Sequence, residues 1–308
     1  MSSTVLAIYV GNEKTMETGR DSSSVKGARS AQPTNRPASL TVVAKGLSHQ
    51  KSHGTGTLGK ALEVLDVIAL STTPLRFTDI LNTLDQPRGT LHRQISNLVD
   101  EGLVEINSDG SYSAGLRLLK LAARAWSQNS FRIIAEPHIR ELHIATGETV
   151  HLGTLANLEV IYIDKLESLQ SVRMHSQVGN ASPLYCTGIG KAMMAMLSEE
   201  DCRDRANRIR FKKHTENTLH TPEMLLDDIA AIRNSGIAHD REEHEPGIRC
   251  VAAGIGGGDA GMIAGISVTA PAYRIADETI SNWETLVQKA ARAIEFDMAS
   301  RMGPRSHE

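Results

Sequence analysis

A run of nineteen residues, QPRGTLHRQISNLVDEGLV at 86–104, constrains this 308-residue chain more than any other stretch. Leu91, Ile95, Leu98 and Val99 recur at i, i+4, i+7 and i+8, which predicts an amphipathic helix over 87–101 with that stripe packed inward. Pro87 presets the helical φ at the first position, where its missing N–H costs nothing. Gly102 stands where a C-cap glycine would. Stepping about 100° per residue from the stripe puts Arg93 opposite the core. Gln86, Gly89 and Ser96 lie beside it, with Arg88 and His92 on the flanks.

This outer face is cationic, polar and, at Gly89, stripped of bulk. A helix that reads a DNA major groove needs that chemistry, because its N-terminal residues approach base edges while its positive end favours phosphate. Arg93 can donate two hydrogen bonds to a guanine edge or clamp a phosphate, and Thr90 can bond phosphate or meet a thymine methyl. The candidate DNA-binding set is therefore Gln86, Arg88, Gly89, Thr90, His92 and Arg93.

The flanking segments fit such a module. Leu58, Leu62, Leu65 and Ala69 are spaced for a helix, and a second helix follows Pro74 with Thr78 as N-cap and Ile80, Leu81 and Leu84 inward. LVEI, the turn NSDG and SYSAG read as a hairpin after the third helix. Three short helices and a hairpin outline a winged helix-turn-helix. Residues 116–134 form one long amphipathic segment that bridges to a second pattern starting near 135.

That second pattern mixes helices with strands. A helix ends at Gly147, strands cover ETVHLGTL, LEVIYIDKLE and SVRMHSQVG, and glycines open a helix at GIGKAMMAML. A helix capped by Thr221 and Pro222 follows, then the apolar runs CVAAGIGG and MIAGISVTAP, then a last helix over 277–300. Hairpin strands with helices at intervals indicate an α+β domain on an antiparallel sheet.

Charge and cysteine content narrow the classes. Residues 1–56 hold seven Lys/Arg against three Asp/Glu, while 57–126 hold seven against eight. There is no broad basic surface, so DNA contact must come from a few placed cations. Residues 11–57 read as a solvated, disordered, mildly basic tail. Three cysteines without a C-x-x-C spacing argue against a disulfide framework or structural zinc and suit a reducing cytoplasm. TVLAIYV is too short for a signal-peptide core or a membrane span.

Two further stretches carry ligand chemistry. In PLYCTGIGKA, a chain entering a helix through Gly188 and Gly190 exposes backbone N–H groups at the helix's positive end, where a carboxylate can sit. In ISVTAP, Ser267 and Thr269 are i and i+2, so both hydroxyls share one face of a strand. GGGDAG at 256–261 fits a dinucleotide pattern but precedes a strand-like run rather than a helix, so it is read as a loose turn. His239, Asp240, His244 and Cys250 lie close in sequence without a firm zinc spacing. No metal or cofactor is expected, and Cys186 and Cys250 lack a local base pattern that would make either a nucleophile.

LGKALEVLDVIAL, QPRGTLHRQISNLVDEGLV and YSAGLRLLKLA resemble the DNA-binding half of the IclR family of bacterial transcriptional regulators. GETVHLGTL, PLYCTGIGKAMMAML, EEHEPGIRCVAAGI and AGISVTAP resemble its effector-binding half, and VRMHSQVGNASPLYCTGIGKA is most similar to the KdgR-like branch. After a tail at 1–56 that the resemblance does not cover, it implies a winged helix-turn-helix at 57–119, a linker helix at 120–134 and a GAF-like α+β effector domain at 135–305. It places Thr187, Gly188, Asp240, Cys250 and Ser267 in the ligand pocket, with Thr269 where the family often has serine and Gly188 where it often has alanine. It further implies a cytoplasmic homodimer or tetramer on double-stranded DNA with a palindromic operator, and no membrane. The effector it implies is a small anionic metabolite, a sugar acid or other carboxylate, that relieves repression. The rival expectation is an enzyme acting on a small carboxylate in the C-terminal pocket, its N-terminal helices used for dimerisation.

Overall fold

The computed structural model describes residues 56–170, 174, 176–256 and 262–302, so the expected tail lies outside the described residues up to Thr55. The chain divides into two compact units. One contains α1, α2, the front of α3 to Ser96 and residues 106–113; the other contains residues 97–105 and the chain from Ala114 onward.

In the first unit, α1 (Gly56–Ala69) buries Val64, Leu65, Val67 and Ile68. The expected stripe is corrected here, since Leu58 and Leu62 are exposed. This helix is apolar on more than one side, and its β-branched residues pack with Leu65 in place of Leu58 and Leu62. Helix α2 (Phe77–Thr83) starts one residue ahead of Thr78, and Asp79 rather than Thr78 closes its end by accepting from the Arg76 amide at 2.9 Å. Ile80 is buried, and Leu81 and Leu84 are partly so.

Helix α3 (Arg88–Asp100) keeps the predicted stripe: Leu91, Ile95 and Leu98 are all buried. Gly102 takes φ +68°, the left-handed conformation a C-cap glycine adopts without a Cβ clash. Strands β1 (Val104–Ile106) and β2 (Tyr112–Ala114) form the expected hairpin, closed by Asn107 donating its amide to the Ser111 carbonyl.

The run expected as one helix over 116–134 is two. Helix α4 (Leu116–Ser127) ends before Asn129, whose side chain accepts from the Arg132 amide at 2.9 Å and caps α5 (Ser130–Thr146). Ser and Asn side chains compete with the helical backbone, so Ser127 and Asn129 break what the apolar pattern would have continued. Gly147 ends α5 at φ +69°, as its position predicts.

The second unit is built on a six-stranded sheet. Its strands are β3 (Thr149–Ala156), β4 (Glu159–Leu166), β5 (Ala181–Pro183), β6 (Ala238–Arg241), β7 (Ile248–Gly256) and β8 (Ile263–Pro271). They lie in the order β5-β4-β3-β8-β7-β6, every described pair antiparallel. Of the strand expected over 171–179, residues 171–173 and 175 lie outside the described residues and the remainder is not strand. The strand that pairs with β4 comes just after it, as β5. Residues 257–261 of GGGDAG also lie outside the described residues.

Helices α6 (Gly188–Ala195), α7 (Glu199–Arg208), α8 (Pro222–Ser235) and α9 (Asp277–Met302) complete the unit. Helix α7 was not expected from apolar spacing; Ser198 caps it, with three acids in its first turn and two arginines in its last. One sheet face packs on α5 and α9 through Ile139, Leu142, Val150, Ile266, Trp283, Val287 and Ile294. The other packs on α6 and α8 through Val160, Ile189, Met193, Leu225 and Ile229. A buried aliphatic side chain contributes about 1.5–3 kcal/mol, so the two layers carry most of the unit's stability.

A row of glycines sets how closely α6 sits. Gly153, Gly265 and Gly254 are cross-strand partners on β3, β8 and β7. A Cβ on Gly265 would lie 2.8 Å from Ile189 Cγ1, and one on Gly254 2.8 Å from the Ala192 carbonyl oxygen. The helix therefore rests on bare backbone, which brings its N-terminus down to the neighbouring rows of the sheet. Among the described residues, no helix is long and apolar enough to cross a membrane.

Candidate DNA-reading helix and effector pocket

The outer face of α3 is as bare as its sequence suggests. Arg88, Gly89, His92 and Arg93 are exposed and Thr90 is half-buried. A Cβ built on Gly89 meets nothing within 4 Å, so no packing among the described residues requires glycine there. Arg88 and His92 are engaged with α2: the Arg88 guanidinium lies 5.1 Å from the Phe77 ring centre, and the His92 ring 6.0 Å from it. Gln86 departs from the expected face, its amide turned toward the Lys60 carbonyl at 3.4 Å. Arg93 is the cation that the geometry presents outward.

The six residues expected at the effector site converge on one sheet face. Asp240, Cys250 and Thr269 are successive cross-strand partners on β6, β7 and β8. Ser267, two residues from Thr269, is partnered by Ala252 on β7 and by His151 on β3. Side chains paired across an antiparallel sheet, or two apart on a strand, project on the same side. Above these rows sits the start of α6. Thr187 caps it, accepting from the Gly190 amide at 3.2 Å and donating to the Pro183 carbonyl at 2.7 Å. Gly190 is glycine because a Cβ there would lie 2.5 Å from the Leu184 oxygen.

All of these side chains are buried, and burial governs their chemistry. The Asp240 carboxyl is pushed up to about 7, chiefly by burial and also by the nearby Glu243 charge, and it accepts from the Glu243 amide at 2.7 Å. The Cys250 thiol is pushed up to about 12 by burial and the Asp240 charge, although Thr269 and Ser267 hydrogen-bond to its sulfur. Burial likewise raises the Cys186 thiol. Thiols held protonated are poor nucleophiles, so the enzyme expectation finds no support in them.

Several buried polar residues near this face were not anticipated. His151 is buried with its imidazole pushed down to about 3 by burial and by Lys165, and its Nε2 lies 2.7 Å from Ser176 Oγ. Tyr162 lies against it with ring centres 4.9 Å apart. The clue for His151 was its alternation in GETVHLGTL, which puts it on the face shared by Thr149. Lys191 is buried in α6, where Nζ lies 2.6 and 2.7 Å from the two Glu243 carboxylate oxygens and 2.9 Å from Asp228. A lone cation inside the apolar run GIGKAMMAML was its signal. Of the weighed metal group, His239 is taken by Glu284 at 2.8 Å, and Asp240 and Cys250 are cross-strand partners on β6 and β7.

The chain matches the IclR helix-turn-helix domain over residues 57–108 and the bacterial transcriptional regulator IclR C-terminal domain over residues 123–296. It is 34% identical over 259 residues to the HTH-type transcriptional regulator BhcR of Paracoccus denitrificans, covering 84% of this chain and 92% of that protein. It is 31% identical to the HTH-type transcriptional regulator KdgR of Escherichia coli, covering 72% of this chain and 84% of that one. The fold is shared with an IclR homolog of Microbacterium hydrocarbonoxydans crystallised with 4-hydroxybenzoate, at TM-score 0.65 and 23% identity over 79% of this chain and 99% of that one. This chain belongs to the IclR family of bacterial transcriptional regulators: it is a DNA-binding transcriptional regulator rather than an enzyme.

Proposed function

We propose that this regulator acts as a cytoplasmic homodimer or higher oligomer, binds a palindromic operator through Arg93 and its neighbours on α3, and releases it when a small carboxylate enters the pocket. The observation that carries the ligand class is the set of donors gathered on one buried sheet face at the start of α6. Ser267 and Thr269 supply hydroxyls, α6 directs its positive end there, and Asp240, held partly protonated at neutral pH, can donate to a carboxylate oxygen. The 4-hydroxybenzoate in the structural neighbour is itself a carboxylate.

Self-association is favoured by α4, which leaves Leu116, Leu119 and Leu121 exposed. Two-fold pairing of the heads then matches a palindromic site. Ligand binding changes DNA affinity only by differential affinity for two states of the protein. A thermal-shift series of sugar acids and small aromatic or aliphatic carboxylates, followed by gel shifts with DNA from upstream of its own gene, tests the reading. A carboxylate that raises the melting temperature and releases that DNA supports it; a series in which only neutral or cationic compounds bind overturns it.

A further inference from the structure

Cys186, His214 and His244 belong to three separate connections of the second unit: β5 to α6, α7 to α8 and β6 to β7. One possible ligand atom from each lies within 4.8 Å of the other two. Cys186 is buried and both imidazoles are half-buried, their ring centres 5.0 Å apart. One thiol and two imidazoles form a borderline-soft donor set, the type that selects zinc over magnesium or calcium.

The backbones that hold the three donors are braced to one another. Tyr185 Oη, beside Cys186, donates to the Lys212 carbonyl at 2.7 Å and accepts from the Lys212 amide at 2.9 Å. Thr218 Oγ1 accepts from the His214 amide at 3.0 Å and donates to the Glu243 carbonyl, next to His244, at 2.7 Å. Thr215 Oγ1 adds a 2.6 Å bond to the Glu242 carbonyl. These bonds fix three otherwise independent connections around one point, which is the preorganisation a metal site needs. In a tetrahedral zinc site with bonds of about 2.0–2.3 Å, donors stand about 3.3–3.8 Å apart, so these donors, within 4.8 Å of one another, would close in on the ion as it binds.

We propose that Cys186, His214 and His244 bind one zinc ion, with a fourth position left to water or to an oxygen of a ligand. The thiol gives its proton to solvent as the sulfur bonds the ion. The site adjoins Thr187 and Gly188 in sequence, yet it stands apart from the effector reading, since none of its donors belongs to the expected effector set.

The test uses the purified full-length chain, stripped with a chelator and titrated with Co²⁺ and then Zn²⁺. The expected result is one equivalent of Co²⁺ with the visible bands of a tetrahedral site and a near-ultraviolet thiolate-to-cobalt band, all displaced by Zn²⁺. Cys186→Ser is expected to abolish the thiolate band and His244→Asn to weaken binding at least tenfold, while Cys202→Ser leaves both unchanged. Far-ultraviolet circular dichroism checks that each variant is folded, and if Cys186→Ser is not, His214→Gln and His244→Asn carry the test through the same bands. Failure of the stripped wild-type chain to bind Co²⁺, a thiolate band that survives Cys186→Ser, or undiminished binding in both histidine variants overturns the proposal.

Discussion

Gly188 stands directly against Cys250: a Cβ on the glycine would come within 2.7 Å of the cysteine sulfur. The start of α6 and the front of β7 are thus in direct contact, with no room for even a methyl group between them. Gly188→Ala forces the Cys250 side chain to move and is expected to destabilise by about 1–3 kcal/mol, with affinity for the proposed carboxylate falling as Cys250 is displaced. Removing the sulfur should relieve the strain. In urea titrations, Gly188→Ala is expected to cost markedly less in a Cys250→Ala background than alone, and equal costs would show that the two residues do not compete for space.

Arg93→Ala is expected to weaken operator binding by about 1–3 kcal/mol, the worth of one bidentate base contact. Arg88→Ala should weaken it less, because the Arg88 guanidinium already lies over Phe77. Gel shifts at fixed salt compare the two, and equal losses would place both arginines on the DNA.

Gly89 separates binding from folding. Because a Cβ there meets nothing among the described residues, Gly89→Ala should leave stability unchanged or raise it by up to about 1 kcal/mol through helix propensity. Gly89→Leu adds bulk to the face and should abolish specific DNA binding while the melting temperature stays within a few degrees of wild type.

Legibility followed from how locally each feature is encoded. The α3 stripe, the Gly102 and Gly147 caps and the hydroxyl pair Ser267/Thr269 rest on neighbours within a turn or a strand, and they were readable. The buried face of α1 was not, because Val64, Val67 and Ile68 compete with Leu58 and Leu62 and only the packed partner decides between them. Helix α7 escaped because its signal is capping and charge rather than apolar period. His151 and Lys191 were missed for a further reason. Their partners Ser176 and Glu243 lie 25 and 52 residues away, and pairing at that range is set by topology alone.

Lys191 is buried between two carboxylates, Glu243 and Asp228. Lys191→Met keeps the volume but leaves buried negative charge without its counter-ion, and should destabilise by about 3–5 kcal/mol. Adding Glu243→Gln to that variant should restore part of the loss, as measured by urea denaturation at neutral pH. A double variant no more stable than Lys191→Met would show that the ammonium serves packing rather than charge.

Asp240 and His151 set opposing pH dependences. Asp240 is raised from 3.8 to about 7, so folding favours its protonated form; that contribution is complete below pH 3.8 and is lost as pH rises toward 7. His151 is lowered from 6.5 to about 3, so folding favours its neutral form; that contribution is present above pH 6.5 and is lost as pH falls toward 3. At about 1.4 kcal/mol per unit, each is worth at most about 4–5 kcal/mol, and in the wild type the two nearly cancel between pH 4 and 6.5. Asp240→Asn removes one side of the balance. Relative to wild type, its stability should climb steadily from pH 4 to 7, and ligand affinity should lose its rise toward lower pH, because the amide can no longer gain the proton that a bound carboxylate needs. Melting temperatures of the two proteins across that range check the first point. Parallel curves would mean that Asp240 titrates near its ordinary value and that its proton is not what holds an anionic ligand.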